Sequence, residues 1–263
     1  YNVSLKLEKS FNFGLDVMAA YTYGESKSIN SATSSVAYSN WRYNETTGNP
    51  NAPELSVSDY SIPHRIVASL SYGKEYAKRF KSTVSLVYTG QSGAPYNVTY
   101  YGDLNGDGSN GIDLVFIPTD EQIDAMQFKA TAKLDADQQK ADLKAFLGSA
   151  KYLKDHRGEY YERNSDRMSF EHHFDFRFLQ DFKFRVAKET HTLQFSIDIM
   201  NVGNLLNRKW GLESYMSNNS YSPITYSKGG EFQYTQGDKY DPFKEISNIS
   251  SRWRCQLGLR YIF

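Results

Sequence analysis

The stretch "DLNGDGSNGID" gathers side chains suited to holding a hard cation: Asp103, Asn105 and Asp107 alternate ahead of Gly108, and Asp113 ends the run. Alternate oxygen ligands wrap a calcium ion, and glycine permits the sharp turn between them. The twelfth position of such a loop normally supplies a bidentate carboxylate. Here that position is Leu114, and Asp113 stands one place early. The competing reading is an Asx- and Gly-rich turn that needs no ion. The expectation is therefore no cofactor, or a calcium ion in this loop alone.

Other chemistry is thinner. His64, His156, His172, His173 and His191 have no metal-ligand spacing on one helix, and the adjacent His172 and His173 point to opposite faces of a strand. The chain has neither a Gly-x-Ser-x-Gly nucleophile motif nor a phosphate-binding glycine loop, so an enzyme reading has no support. Trp41, Tyr43, Tyr215, Tyr221 and Tyr234 offer aromatic platforms for sugars or ring-bearing ligands, and anchoring at a membrane interface explains such tyrosines equally well. The single cysteine, Cys255, excludes an internal disulfide and reads as packing within an apolar stripe.

These residues need elements to hold them, and the sequence supplies strands. The last segment alternates Cys255, Leu257, Leu259, Tyr261 and Phe263 with Arg254, Gln256, Gly258 and Arg260. That is a period of two, the signature of a strand. Residues 191–202 repeat it, and "HHFDFRFLQDFKFRV" sets Phe174, Phe176, Phe178, Phe182, Phe184 and Val186 against His173, Asp175, Arg177, Asp181, Lys183 and Arg185. Similar alternation covers residues 80–90, 65–73, 13–23 and the opening "YNVSLKLEK". The pattern predicts about seven strands of roughly 9 to 13 residues, a length suited to crossing a bilayer at a tilt.

The connections alternate as strictly as the strands. Short ones fall around "SFNF", "KEYAKR" and "AKET"; long ones cover 24–63, 91–170 and 203–249. Long loops without structure of their own are uncommon in compact domains. Short turns at one end and long loops at the other are the connectivity of an outer-membrane barrel, with turns on the periplasmic side and long loops outside. A soluble sandwich or propeller also alternates apolar and polar residues, but its strands are shorter and its polar faces less charged. The predicted fold is thus an all-β, antiparallel transmembrane barrel occupying 1–263, with extracellular loops at 24–63, 91–170 and 203–249. Within the second loop, residues 119–156 read as a helical insert with a stripe of Leu134, Leu143, Phe146 and Leu147. The insert caps the pore or docks a partner lipoprotein, or is simply a decorated loop over the mouth.

Composition agrees. The chain has 263 residues, 30 basic and 30 acidic side chains, and 21 Tyr and 16 Phe. Zero net charge gives no field that favours nucleic acid. No apolar run approaches the roughly 20 residues of a membrane helix, and the N-terminus has neither methionine nor signal peptide, so a processed chain or a fragment is expected.

The terminal residues resemble the assembly signal of bacterial outer-membrane proteins, with Gln256, Gly258, Tyr261 and Phe263 in the matching places. That resemblance implies recognition by the barrel-assembly machinery. "DIMNVGNLLN", "YYERNSDRMSFEHHFDFRFLQDF", "GQSGAPYN" and "GDLNGDGSNGIDLVFIP" together resemble the C-terminal barrel of TonB-dependent receptors of the Oar-like branch. One departure is "NGID", where that branch places Asn directly before Asp113. The resemblance implies a Gram-negative outer-membrane location, a full barrel of about 22 strands, and energised uptake of a bulky nutrient. It also implies coupling to the TonB complex through an N-terminal plug that this sequence lacks. The alternative is a smaller self-contained barrel or surface adhesin that uses the same loops for binding.

Overall fold

Seven long segments with a period of two pair into one antiparallel sheet, because strands with one apolar and one polar face bury backbone groups only by lying side by side. A computed structural model describes residues 1–216, 219–226, 229–234, 244–245 and 249–263. The strands are β1 (Asn2–Ser10), β2 (Leu15–Gly24), β3 (His64–Tyr76), β4 (Phe80–Gln91), β5 (Glu171–Val186), β6 (Glu189–Met200) and β7 (Arg254–Ile262). They pair in sequence order, from β1 at one edge to β7 at the other. At 16 residues β5 outruns the expected length, and β6 stops at Met200 because Asn201 turns left-handed (φ 53°) ahead of the short helix Val202–Leu206.

The register carries the expected faces across the sheet. Val17, Leu70, Leu86, Phe176, Ile199 and Cys255 form one continuous apolar rung, and Tyr72, Val84, Phe178, Ile197 and Leu257 the next. The opposite face is polar, with Ser71, Ser85, Arg177, Asp198 and Gln256 in one rung. There Arg177 pairs with Asp198, Lys183 with Glu75, and Gln194 Nε2 donates to Asp181 Oδ1 at 2.8 Å. A polar rung of Lys74, Ser82 and Gln180 interrupts the apolar face, and there Ser82 Oγ and Tyr76 OH donate to Gln180 Oε1 at 2.6 and 3.0 Å.

Three short hairpins join β1–β2, β3–β4 and β5–β6. In the first, Gly14 has φ 93° and stands so close to the neighbouring strand that a Cβ would lie 2.2 Å from the Gly73 carbonyl oxygen. Successive hairpins are offset in one direction: Gly14 is bonded at Gly73, before Tyr76, and Tyr76 and Phe80 share a rung with Phe182, before Val186. This stagger is what strand tilt in a barrel wall requires.

Water-type burial lies elsewhere. Apart from Pro50, every buried apolar side chain among the described residues belongs to the second and third long connections, including Val98, Ile117, Ile123, Leu143, Leu147, Leu153, Tyr161 and Ile224. The sheet's apolar face stays open: Leu5 is 62% exposed, Leu70 48% and Leu259 73%. A soluble sandwich would cover that face, whereas an uncovered apolar face of this extent suits lipid.

The long connections are not structureless. A four-stranded sheet joins Asp166–Arg167, Pro95–Tyr101, Ser220–Tyr226 and Phe232–Tyr234, with Pro95–Tyr101 and Ser220–Tyr226 parallel. The helical insert is three helices rather than one: Asp120–Ala125, Ala136–Ser149 and Lys151–Asp155. Thr119 and Gln122 form a capping box on the first, Met126 ends it in an extended conformation, and Asp135 caps the second. Of the expected stripe, Leu143 and Leu147 are fully buried, Phe146 packs against them, and Leu134 is half-buried.

Candidate binding site in the loop layer

The loop layer is tied together from a short segment after the helices. Arg163 is 3% exposed, and its guanidinium donates to Asn44 Oδ1 and the Ser28 carbonyl. Asn164, at φ 61°, donates through its amide nitrogen to Val57 O (2.8 Å) and Asp59 Oδ1 (2.6 Å). It also exchanges bonds with Asn97, which accepts from Asn164 N at 2.6 Å and donates to Asn164 Oδ1 at 3.1 Å. Tyr161 OH donates to Tyr96 O at 2.8 Å, and Arg167 Nη1 to Ser61 O at 2.7 Å. The first and second long connections are thereby pinned to one another through buried, charge-assisted and amide hydrogen bonds.

Above this hub a cleft of about 820 Å³ takes its walls from all three long connections. The first supplies Tyr43 and Glu45, the second Tyr101, Gly111 and Ile112, and the third Ser220 and Ser222. Tyr43 and Tyr101, 65% and 66% exposed, present ring faces that solvent can reach. Glu45 accepts from Ser220 Oγ at 3.0 Å, and burial pushes its carboxyl above the usual carboxylate range. Two of the expected platforms serve instead as core: Tyr221 and Tyr234 are 5% and 4% exposed, packed around Phe146. Trp41 Nε1 donates to Asn51 Oδ1 at 3.1 Å. The Tyr215 side chain and residues 217–218, 227–228 and 235–240 of the tyrosine-rich stretch lie outside the described residues.

The acidic loop forms the edge of that cleft. Asp103 Oδ1 accepts from Gly106 N and Asp107 N at 2.7 and 3.1 Å, and its Oδ2 from Gly108 N at 2.9 Å. Asn105 Oδ1 accepts from Asp107 N (2.9 Å), and Asp107 Oδ1 from Ser109 N (2.7 Å). Asp113 lies beneath the loop at 4% exposure, where its Oδ2 accepts from Leu104 N at 2.8 Å while Oδ1 has no partner. Burial raises its pKa, aided by the charges of Asp107 and Asp103 and opposed by the backbone N–H groups of Leu104 and Asn105, which favour the charged carboxylate. Among the described residues no three His, Cys, Asp or Glu side chains gather closely enough to form a metal group.

The C-terminal residues sit at the sheet edge. Gln256 faces Asp198 on the polar side; Gly258 faces Ser196, where a Cβ would lie 2.5 Å from Ser196 Oγ. Tyr261 lies on the apolar side opposite Leu193, and Phe263 is 90% exposed with its ring 5.9 Å from that of Tyr261.

Sequence periodicity did not reveal the aromatic bands at the two ends of the apolar face. Toward the hairpins, ring centroids follow one another at 5.3 to 5.9 Å through Tyr76, Phe80, Phe182, Phe184, His191 and Tyr261. Toward the loops stand Tyr21, Tyr23 and His64, and then Tyr88, His172 and Phe174. Three histidines share the same arrangement: His64, His172 and His191 each hold Nδ1 within 2.6 to 2.8 Å of a tyrosine hydroxyl, of Tyr21, Tyr88 and Tyr261. As expected, His173 lies on the other face, opposite Thr89.

An open apolar band, bounded by two aromatic girdles and backed by a charged face, defines a transmembrane β-barrel wall of the bacterial outer membrane. The outer membrane beta barrel domain family matches residues 1–235, and the chain belongs to that family. Its place is therefore the outer membrane of a Gram-negative bacterium. No curated protein and no solved structure matches the chain.

Proposed function

We propose that this chain is the C-terminal part of a TonB-dependent outer-membrane receptor that takes up a bulky nutrient of the siderophore, glycan, peptide or vitamin class. The observation that carries the reading is a cleft of about 820 Å³ to which all three long connections contribute walls. A receptor needs to capture its ligand before a gated passage, and long loops of a barrel wall face outside while its short turns face the periplasm.

The strand count supports a larger barrel. Bacterial outer-membrane barrels have an even number of strands, from eight upward. Here the sheet has seven strands in linear order, with β1 paired only to β2 and β7 only to β6 among the described residues. The free edge of β7, bearing Gln256, Gly258, Tyr261 and Phe263, suits recognition by the barrel-assembly machinery through strand pairing. A surface lipoprotein docking on the helical insert would meet its polar outer side, because Leu143, Leu147 and Leu153 are buried within the layer.

The test is genetic. In the gene, a plug domain and coupling segment are expected upstream of Tyr1; a signal peptide directly before Tyr1 would sink the receptor reading in favour of a small barrel or adhesin. A deletion strain should lose growth on one nutrient among iron chelates, oligosaccharides, peptides and cobalamins, and deletion of TonB should copy that defect. Unimpaired growth on that nutrient in the strain without TonB would count against it.

A further inference from the structure

We propose that the loop Asp103–Asp113 binds one Ca²⁺ ion and that the ion sets one wall of the cleft. Three carboxylates occur within this segment, and none of them forms an ion pair among the described residues. A negative charge held out of water needs a partner. Asp113 is nearly wholly buried, yet its Oδ1 meets no donor.

A second oxygen makes the same point independently. Thr46 is bridged in parallel to Asp113, its N donating to Ile112 O at 3.0 Å and its O accepting from Leu114 N at 2.9 Å. Residues paired in this way project their side chains to the same side of the ladder. The Thr46 hydroxyl is buried, and it too has no partner. Two unsatisfied oxygens beneath a loop rich in oxygen ligands fit a hard cation better than a turn sufficient to itself.

As they stand the carboxylates do not converge, so binding draws the loop inward. Ca²⁺ accepts six to eight oxygens in flexible geometry, including backbone carbonyls and water, whereas Mg²⁺ demands a near-ideal octahedron. Gly102, Gly106, Gly108 and Gly111 all have positive φ and give the segment the freedom to close. Gly102 and Gly111 are bonded to each other at 2.8 Å, N of Gly111 to O of Gly102, and both line the cleft. Movement of the loop is thus movement of the cleft wall.

The experiment is calorimetric titration of the full-length protein in detergent, stripped with chelator, using CaCl₂ with MgCl₂ as comparator. One Ca²⁺ per chain is expected, with a Kd of about 10⁻⁴ to 10⁻³ M, as for extracellular calcium modules, and Mg²⁺ binding weaker by roughly tenfold. Asp113→Asn keeps an acceptor for Leu104 N, and Asp107→Asn keeps one for Ser109 N. Each should weaken Ca²⁺ binding by about tenfold or more by removing one charge from the ligand set. Ca²⁺ should also slow proteolysis within 91–170 in the unaltered protein and not in the variants. Absence of saturable Ca²⁺ heat, equal binding of Mg²⁺, or Ca²⁺ binding unchanged in the variants overturns the proposal. Should Asp113→Asn fail to fold, the more exposed Asp107→Asn decides alone.

Discussion

Placing an arginine at Leu70 and, separately, at Ser69 tests which face of the sheet meets lipid. Leu70 lies at the middle of β3, six residues from His64 in one aromatic band and six from Tyr76 in the other. At about 3.3 Å per residue that is roughly 20 Å along the strand on each side. A tilt near 40° reduces it to about 15 Å of depth, which puts Leu70 close to the bilayer midplane. Arginine on the lipid face at the midplane destabilises a barrel by about 2 to 4 kcal/mol, or roughly 30- to 700-fold in the folding equilibrium. Ser69 points to the polar face, opposite Met18 and Val87 in register, so arginine there should stay within about 0.5 kcal/mol. The assay is equilibrium unfolding of the full-length barrel in lipid vesicles by guanidinium, with intact slope and shifted midpoint as the signature of a stability change. Equal losses for the two variants, or the larger loss at Ser69, would refute the assignment of faces.

Two further outcomes follow from the hub and the cleft. Asn164→Ala removes acceptors and donors facing Asn97, Val57 and Asp59 and leaves an alanine at φ 61°; at about 1 to 3 kcal/mol for each stranded buried group, the loop layer should lose roughly 3 to 5 kcal/mol. Hydrogen exchange should show lost protection in residues 56–61 while the seven-stranded sheet keeps its own. Glu45 has its carboxyl raised by burial, so the folded loop layer holds more protons than the unfolded chain. Its contribution to stability therefore falls as pH rises from the ordinary glutamate range through the raised folded value, the reverse of a salt-bridged carboxylate. Loop-layer melting followed by exchange should be highest on the acidic side of that window, and Glu45→Gln should flatten the dependence; an unchanged profile in that variant would contradict it.

The barrel wall was legible because its information is local. A strand at a membrane boundary must alternate, and "CQLGLRYIF" or "HTLQFSIDIM" does so without reference to anything distant. Loop lengths then fixed which ends meet, and the register only arranged faces already visible. The loop layer resisted the same reading because both sides of its strands are covered. In Pro95–Tyr101 the alternation is masked: Tyr96, Val98 and Tyr100 are buried, but so are Asn97 and Thr99, which satisfy Asn164 and Ser222. Tyr221 and Tyr234 looked like ligand platforms for the same reason, since nothing nearby in sequence shows that helix Ala136–Ser149 packs over them. At the acidic loop, residue types and spacing named Asp103, Asn105, Asp107 and Asp113 at once, whereas the burial of Asp113 and its backbone bridge to Thr46, far upstream, are set by the fold.

The two kinds of burial divide the molecule into parts stabilised in different solvents. Open Leu, Val and Phe rows on the sheet gain nothing from one another's company in lipid, so the wall depends on backbone pairing and on placing its girdles at the interfaces. The loop layer has the reverse economy, with a water-type core around Leu143, Leu147 and Leu153 and buried polar ties through Arg163 and Asn164. Its packing is therefore separate from that of the wall on which it stands. Arg167 anchors it near the strand ends by donating to Ser61 O and Gly93 O, at 2.7 and 3.3 Å. The cleft belongs wholly to this layer, since none of its described lining residues lies on β1 to β7.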